Sequence, residues 1–228
     1  MFKSIWNFSD ERKRLVKMLQ PIPRDTPILD VGCGYGRNLE LLRQFGFTNL
    51  TGVDINRDLV EQASARGFSC FLPEQIGEGN GEYGLLLMSH IVEHFEFTDL
   101  RMFIENYLRF LCDGGKLVIV TPLFHNNFYN DFDHVKPYLP MGFAMVFGDK
   151  SAQVQFQSNH VLQLENIDFF KDQLRVQFHP SLFLNASRGW PIQQNRILKL
   201  IYVLSMGYVG KKVGWMGVYQ YMGIRKNN

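Results

Sequence analysis

Three residues near the middle of the chain, His90, Glu93 and His94, have the types and spacing needed for metal chemistry. They spell H-x-x-E-H, a pattern in which two histidines one helical turn apart bind zinc and the glutamate activates a water molecule. That chemistry requires the pattern in the middle of a helix and a third ligand further along the chain. Here the apolar run 84–89 precedes it and predicts a buried strand, so we disfavour a zinc protease.

A second group of residues suits the binding of a nucleotide-like ligand. The string ILDVGCGYGRNLELL places Gly32, Gly34 and Gly36 where a predicted strand turns into a predicted helix. Glycines there allow a tight turn and a close approach of a ligand to the free N–H groups of the helix start. Asp30 stands two positions before the first glycine. Asp54 closes the next strand, where a carboxylate can accept both ribose hydroxyls of an adenosine-containing ligand.

The spacing of the glycines separates two kinds of cofactor. A dinucleotide-binding fingerprint reads G-x-G-x-x-G, and its last position in this chain holds Arg37 instead of a small residue. A nicotinamide oxidoreductase therefore remains the second interpretation of the same fold class and is disfavoured.

The elements that must position these residues alternate along the chain. Short apolar strands and longer helical patterns alternate from about residue 27 to 122, which predicts a parallel sheet with helices on both faces. The predicted strands are 27–32, 49–55, 68–72, 84–89 and 116–122, and the predicted helices are 36–46, 57–67 and 99–115.

The ends of the chain complete a predicted single domain. Residues 1–24 form an N-terminal helix and lead-in, 25–122 the cofactor-binding core, and 123–228 a substrate loop followed by C-terminal strands and a helix. The last part predicts a helix from Pro140, a helix over 193–207 and one or two antiparallel strands that close the sheet. Its strand-like segments are 153–157, 161–170, 174–179 and 213–226.

Composition excludes several classes of protein. The chain has 228 residues, of which 46% are hydrophobic and 20% charged, so a sizeable core is expected. A net charge of +2 is too weak to favour a nucleic-acid partner. Three cysteines without paired spacing, and an N-terminus without an apolar signal segment, predict a cytoplasmic protein.

The glycine segment, continued by GVDI, resembles the motifs of class I S-adenosylmethionine-dependent methyltransferases, and the likeness extends from about residue 25 to 122. The resemblance implies a Rossmann-like fold with a seven-stranded, mostly parallel sheet and S-adenosylmethionine as cofactor. It implies that Asp30 lies near the methionine amino group, that the glycines frame the methionine and ribose, and that Asp54 holds the ribose hydroxyls. The remaining expected cofactor contacts are Ser89, at the end of the fourth strand, and Glu74 and Gln75, near the adenine.

The same resemblance gives Glu93 and His94 a role. Many of these enzymes have a Glu-His pair after the fourth strand, with the glutamate facing the methionine end of the cofactor. Two alternatives stay open. Similar groups in ubiquinone-pathway O-methyltransferases are tied to a divalent metal, which would give His90, Glu93 and His94 a metal role, although our prediction assigns no metal ligand. In the other alternative Glu93 and His94 only orient a loop by hydrogen bonds, and His90 packs beside the sheet.

The loop after the fifth strand carries the candidate base. Asp131, His134 and the following KPY resemble the D-x-x-H-x-R/K-P-Y/F segment of methyltransferases that modify surface glycans and sugars. A sugar hydroxyl has a very high pKa, so its methylation benefits from a base. We predict His134 as that base, oriented by Asp131 or Asp133, with His125 as the substitute.

O-methylation of a glycan is the first predicted function. N-methylation of an amino-sugar or small amine and a non-catalytic cofactor-binding domain are the alternatives.

The segment 195–215 combines apolar residues at helical spacing with a basic pair, Lys211 and Lys212, and Trp215. Such a pattern suits the boundary between lipid and water. A helix that packs on the sheet or caps the acceptor site explains the same spacing, and we favour it over membrane contact.

Overall fold

The computed structural model describes residues 9–79, 81–125, 128–149, 154, 156–172, 190–205 and 208–225. Within these residues seven strands form one sheet in the order β3-β2-β1-β4-β5-β7-β6. The strands are β1 (Ile28–Val31), β2 (Leu50–Val53), β3 (Ser69–Phe71), β4 (Tyr83–Ser89), β5 (Leu111–Pro122), β6 (His160–Asp172) and β7 (Lys211–Ile224). The helices are α1 (Asp10–Met18), α2 (Arg37–Gln44), α3 (Arg57–Ala65), α4 (Phe97–Leu108), α5 (Pro140–Phe147) and α6 (Trp190–Leu204).

The first five strands are parallel, and β7 runs antiparallel to both of its neighbours, β5 and β6. The predicted Rossmann-like sheet that ends in antiparallel strands is therefore confirmed. In such a sheet the carboxyl ends of β1, β2, β4 and β5 lie on one edge, which is where ligands bind in open α/β folds.

Both faces of the central strands are buried. Successive residues of one strand point to opposite faces of the sheet, and they belong to two different hydrophobic clusters. Leu86 and Met88 of β4 pack with α4 and α5 in one cluster. Leu85 and Leu87 of the same strand pack with α1 and α2 in the other. Two covered faces explain why the central strands read as continuous apolar runs and not as alternating patterns.

One predicted boundary is wrong. The helix expected over 99–115 ends at Leu108, and the chain is already extended from Leu111. The carbonyl of Phe110 accepts a 2.9 Å hydrogen bond from the amide of Tyr83. Pairing with the start of β4 therefore ends the helix several residues before the glycine pair at Gly114.

The C-terminal elements match the prediction in part, and residues 154, 156 and 157 of the expected strand 153–157 are not in a strand. Strand β6 covers the expected strand 161–170, whereas the expected strand 174–179 lies outside the described residues. Helix α6 forms, but it does not pack as a core helix. Its side chains are described from Arg196 to Leu204; none of these belongs to the three buried clusters, and Leu200 and Leu204 are 56% and 73% exposed.

Candidate active site

The glycine turn between β1 and α2 is fastened to the end of β2 by Asp54. One carboxylate oxygen of Asp54 accepts a 2.8 Å hydrogen bond from the amide of Gly34, and the other accepts a 2.9 Å bond from the amide of Asn56. Each carboxylate oxygen can accept a second hydrogen bond. Asp54 can therefore hold the glycine turn and still accept the hydroxyls of a ribose.

All three predicted glycines have positive φ: 74° at Gly32, 54° at Gly34 and 82° at Gly36. At Gly32 the requirement is also steric, because a Cβ atom would overlap the side chain of Ile91. At Gly34 a Cβ atom would meet no other atom within 4 Å, so the backbone there is open to a ligand. The turn thus presents bare backbone at the carboxyl edge of the sheet.

Asp30 is fully buried under this turn, and neither of its carboxyl oxygens has a hydrogen-bond partner of good geometry among the described residues. Burial raises the pKa of Asp30 to about 8, and the side chain of Asn38 offsets part of that rise. An unpaired buried carboxylate is costly unless a ligand satisfies it. The ammonium group of a methionine moiety fits this requirement.

The affinity for S-adenosylhomocysteine is expected to rise with pH up to about 8, where Asp30 ionises. At lower pH the carboxyl group must first lose its proton before it can pair with the ammonium group, so affinity falls by up to about tenfold per pH unit. Calorimetric titration between pH 6 and 8 measures this slope. The Asp30→Asn variant should bind weakly with a flat profile, and Asp25→Asn, an exposed control, should keep the slope of the wild type.

The other predicted cofactor residues lie along the same edge. Ser89 is the last residue of β4. Because Met88 pairs with Val31 at the end of β1, Ser89 lies level with the start of the glycine turn. Glu74 is exposed in the short 3₁₀ turn after β3. The side-chain oxygen of Gln75 accepts a 2.7 Å hydrogen bond from the amide of Leu72, so this side chain holds the turn. Contact of Glu74 and Gln75 with adenine stays a prediction.

The H-x-x-E-H pattern does not lie within an α-helix. His90 follows the end of β4 with a positive φ of 56°, and Glu93 and His94 lie in a single 3₁₀ turn. The two histidines therefore do not share a helical face, and the zinc-protease interpretation is excluded for this geometry.

Glu93 is fully buried and has a polar neighbour beside each of its carboxylate oxygens. The hydroxyl of Thr121 donates a 3.0 Å hydrogen bond to one of its oxygens. The other oxygen lies 3.2 Å from Nδ1 of His90, and Nε2 of His90 lies 3.2 Å from a carboxylate oxygen of Glu11 in α1. His90 therefore bridges two carboxylates and ties the N-terminal helix to the site, instead of only packing beside the sheet.

Burial acts to lower the pKa of His90, but its contacts with Glu11 and Glu93 outweigh burial and raise that pKa to about 10. A raised histidine pKa adds stability that is fully present below the unfolded pKa of about 6.5 and is lost as pH rises through the folded pKa. We expect His90→Asn, which tolerates the positive φ, to lower the urea midpoint more at pH 6 than at pH 10. Glu11→Gln should show the same pH dependence, and the double variant should be less than additive. Equal losses at both pH values would contradict this ion bridge.

The turn that holds Glu93 and His94 also fixes the β5–α5 loop, which we define as residues 128–139. The carbonyl of Glu93 accepts hydrogen bonds from the amides of Val135 (2.9 Å) and Lys136 (3.2 Å). Nδ1 of His94 donates to the carbonyl of Asp133 at 3.0 Å, since a carbonyl can only accept. The geometry matches the alternative in which Glu93 and His94 orient this loop by hydrogen bonds.

His134 stands in this loop with its ring oriented by backbone. Nδ1 of His134 donates to the carbonyl of Phe128 at 2.7 Å, which leaves Nε2 as the basic nitrogen. The predicted orienting role of a carboxylate is wrong: Asp131 lies 3.7 Å from Nε2, too far for a hydrogen bond, and Asp133 contributes its carbonyl to His94. Asp131 is close enough to stabilise the ring electrostatically once Nε2 takes up a proton.

One group of side chains could gather around a metal ion. Glu93, His94 and His134 each place a ligand atom within 4.8 Å of the others. This set contains His134 in place of His90, unlike the metal alternative considered from the sequence. One oxygen of Glu93 accepts a hydrogen bond from Thr121, and the other lies 3.2 Å from Nδ1 of His90 without a hydrogen bond of good geometry among the described residues.

Three residues near the site were missed by reasoning from the sequence. Glu11 reaches the site from α1, and no local pattern marks a contact between residues 79 positions apart. Ile91 packs over Gly32. Ile55 follows Asp54 with 86% of its surface exposed, and an apolar side chain beside a ribose acceptor suits the flat face of a base. The sequence contained one signal for Ile55: it is an apolar residue directly after the acidic residue that follows β2.

This combination of sheet order, glycine turn and acidic strand ends defines the S-adenosylmethionine-dependent methyltransferases of class I. A family model described as a methyltransferase domain matches residues 7–179. The chain belongs to this family, and the predicted fold, enzyme class and cofactor are confirmed.

Similar proteins agree on the class and differ in the substrates that their names state. EEF1A lysine methyltransferase 2 of Homo sapiens is 37% identical over 59 residues, which cover 25% of this chain and 25% of that protein. Ubiquinone biosynthesis O-methyltransferase of Caulobacter sp. (strain K31) is 29% identical over 103 residues, covering 41% and 40%. The chain thus matches less than half the length of either relative.

A solved S-adenosylmethionine-dependent methyltransferase from Archaeoglobus fulgidus shares the fold. It superposes with a TM-score of 0.57 over 92% of this chain and 94% of its own, at 20% identity. A likeness at this identity concerns the fold alone and leaves the acceptor open.

Proposed function

We propose that this protein transfers a methyl group from S-adenosylmethionine to a hydroxyl oxygen of a sugar or glycan. The observation that carries the proposal is His134, whose Nδ1–H is held by the Phe128 carbonyl so that Nε2 is free to act as a base. A base at this position suits a nucleophile that must lose a proton as it reacts, as a hydroxyl does.

Exposed aromatic side chains around the β5–α5 loop support a carbohydrate acceptor. Phe124, Tyr129 and Phe132 are 65%, 56% and 100% exposed, and the rings of Phe124 and Tyr129 lie 6.1 Å apart. Flat aromatic faces can pack against the C–H faces of sugar rings while hydroxyl groups stay in water. Exposed apolar groups that cluster on a surface often belong to a binding site, and these three lie next to the candidate base.

The chain's residues divide the work of the reaction. S-adenosylmethionine supplies a methyl group that is already activated by its positive sulfur. Asp30, the glycine turn and Asp54 would hold its methionine and ribose parts. In the transfer the acceptor oxygen would bond to the methyl carbon that this cofactor supplies, and the sulfur would keep the electron pair of the broken carbon–sulfur bond. The hydroxyl proton passes to Nε2 of His134, and Asp131 stabilises the resulting positive ring.

A second candidate is methylation of an amine, which the lysine methyltransferase among the relatives favours. A neutral amine already carries a nucleophilic lone pair, so it needs no strong base while the new bond forms. His90 is a poor candidate for a base in either reaction, because its contacts with Glu11 and Glu93 outweigh burial and raise its pKa to about 10.

The test is a panel of acceptors incubated with the protein and S-adenosylmethionine, with formation of S-adenosylhomocysteine as the signal. The panel contains nucleotide-sugars, neutral glycan fragments, amino-sugars and small amines. Conversion of a neutral sugar, with the methyl group found on oxygen by mass spectrometry and NMR, supports the proposal. Conversion of amines alone supports the second candidate. If S-adenosylhomocysteine binds but no acceptor is converted, both candidates give way to a non-catalytic cofactor-binding domain.

A further inference from the structure

Helix α6 exposes an apolar face that the rest of the described chain does not cover. Ile197, Leu200, Ile201 and Leu204, which we call the α6 face, are 52%, 56%, 41% and 73% exposed. At about 100° per residue these four side chains share one sector of the helix. The sector is about as wide as the stripe that an ordinary helix buries in a core.

The opposite side of α6 faces the protein. Leu198 and Tyr202 are only partly exposed, and the hydroxyl of Tyr202 donates a 3.3 Å hydrogen bond to the carbonyl of Lys171 at the end of β6. A Cβ atom on Gly210 would come within 2.9 Å of the Tyr202 ring, so the turn after α6 also packs on this side. The helix is therefore held with its more apolar side outward.

The charges of the α6 segment itself have one sign, and burial together with the nearby carboxylates of Asp10 and Asp172 raises the pKa of Tyr202, on the opposite side of the helix. Residues 190–212 contain Arg196, Lys199, Lys211 and Lys212 and no aspartate or glutamate. All four basic residues are exposed. Tyr208, 83% exposed, adds an amphipathic ring next to the basic pair. An apolar sector bordered by cations and an interfacial aromatic residue is the pattern of a helix that lies in a membrane surface.

We propose that the α6 face binds the surface of an anionic lipid bilayer, with α6 lying in the plane of the headgroups. No helix among the described residues is long and apolar enough to cross a membrane. The alternative occupant, a second copy of this chain, would bring the Arg196 and Lys199 of two α6 helices near one another without acidic partners from the same segment. A negative lipid surface satisfies both the apolar sector and the cations.

This surface is independent of the acceptor. It rests on the exposure of α6 and on the charge of residues 190–212, and it holds whether the acceptor is a hydroxyl or an amine. If both proposals hold, the surface would bring the carboxyl edge of the sheet to acceptors carried on lipids.

The experiment is co-sedimentation of the full chain with vesicles of phosphatidylcholine alone and of phosphatidylcholine mixed with phosphatidylglycerol, at low and high salt. We expect binding to the mixed vesicles to be at least about tenfold stronger than to the neutral ones, and to weaken as salt screens the charges. The Leu200→Glu/Leu204→Glu double variant should lose binding to both. Arg196→Gln with Lys199→Gln should lose most of the preference for the anionic lipid.

Met102→Glu is the matched control, because Met102 is an exposed apolar residue (45%) on α4, away from this face. It should bind vesicles as the wild type does, and all variants should keep the wild-type affinity for S-adenosylhomocysteine, which shows that they are folded. The proposal is overturned if the wild type binds neither kind of vesicle, or if the double variant binds as well as the wild type. Sedimentation equilibrium adds one more contradicting result: a dimer that the double variant breaks, without vesicle binding, assigns the face to a second copy.

Discussion

Replacing Asp54 with alanine is expected to lower the affinity for S-adenosylhomocysteine by about 100-fold or more. Two contributions are lost together. The ribose hydroxyls lose a charged acceptor, and one hydrogen bond to a charged group is worth about 1.5–3 kcal/mol. The glycine turn also loses the carboxylate that receives the Gly34 amide at 2.8 Å, so the binding surface is no longer held in place. Isothermal titration of S-adenosylhomocysteine measures the combined loss.

Two further variants separate the contributions of Asp54. Asp54→Asn keeps an oxygen for the Gly34 amide but removes the charge, so its affinity should lie between those of the wild type and the alanine variant. Asp58→Ala removes an exposed carboxylate four positions along, in the first turn of α3, and should bind normally. Wild-type affinity in Asp54→Ala, or binding of NADH in place of S-adenosylhomocysteine, would refute the assignment of the cofactor site.

The sequence predicted the central sheet and the cofactor turn well because both depend on local patterns. A buried parallel strand is an apolar run of a few residues, and a glycine turn at the start of a helix has few alternatives. The end of α4 was predicted too late because it is set by pairing between Phe110 and Tyr83, which are 27 positions apart. Local helical preference continues past Leu108, and a distant strand overrides it.

The polar contacts of the site were less predictable. His134 was found from its motif, but its partner is the backbone carbonyl of Phe128, and a backbone acceptor leaves no mark on residue types. Asp131 was expected to orient the ring and instead lies beside the other nitrogen, because residue spacing does not fix the direction of a side chain in a loop. The contact of His90 with Glu11 spans two elements far apart in sequence.

Of the two roles favoured for α6, packing on the core of the sheet was wrong for a related reason, and capping of the acceptor site stays a prediction. Apolar residues at helical spacing predict a buried stripe, since most amphipathic helices pack on a core. Only the structure shows that Leu200 and Leu204 face outward while Tyr202 contacts the end of β6. The periodicity was sufficient to predict the helix and insufficient to tell which surface its apolar side meets.

The second large effect is expected at His134. In the His134→Gln variant the base is lost, while the amides of Val135 and Lys136, which donate to the carbonyl of Glu93, still hold the β5–α5 loop. For a hydroxyl acceptor identified by the panel, we expect kcat to fall by about 10²–10⁴-fold, the usual contribution of a positioned base. KM and the affinity for S-adenosylhomocysteine should change little, because His134 acts on the proton and not on cofactor binding.

His125 provides the matched control for this prediction. It precedes the β5–α5 loop, and burial together with the nearby Lys211 lowers the pKa of its imidazole. His125→Gln should keep most of the wild-type kcat if the base is His134, whereas the reverse ranking would move that role to His125. A neutral amine would retain turnover in both variants, because its lone pair is available before any proton leaves. Unchanged kcat for a hydroxyl acceptor in His134→Gln would show that the proton leaves to water or to another group, and that His134 only shapes the loop.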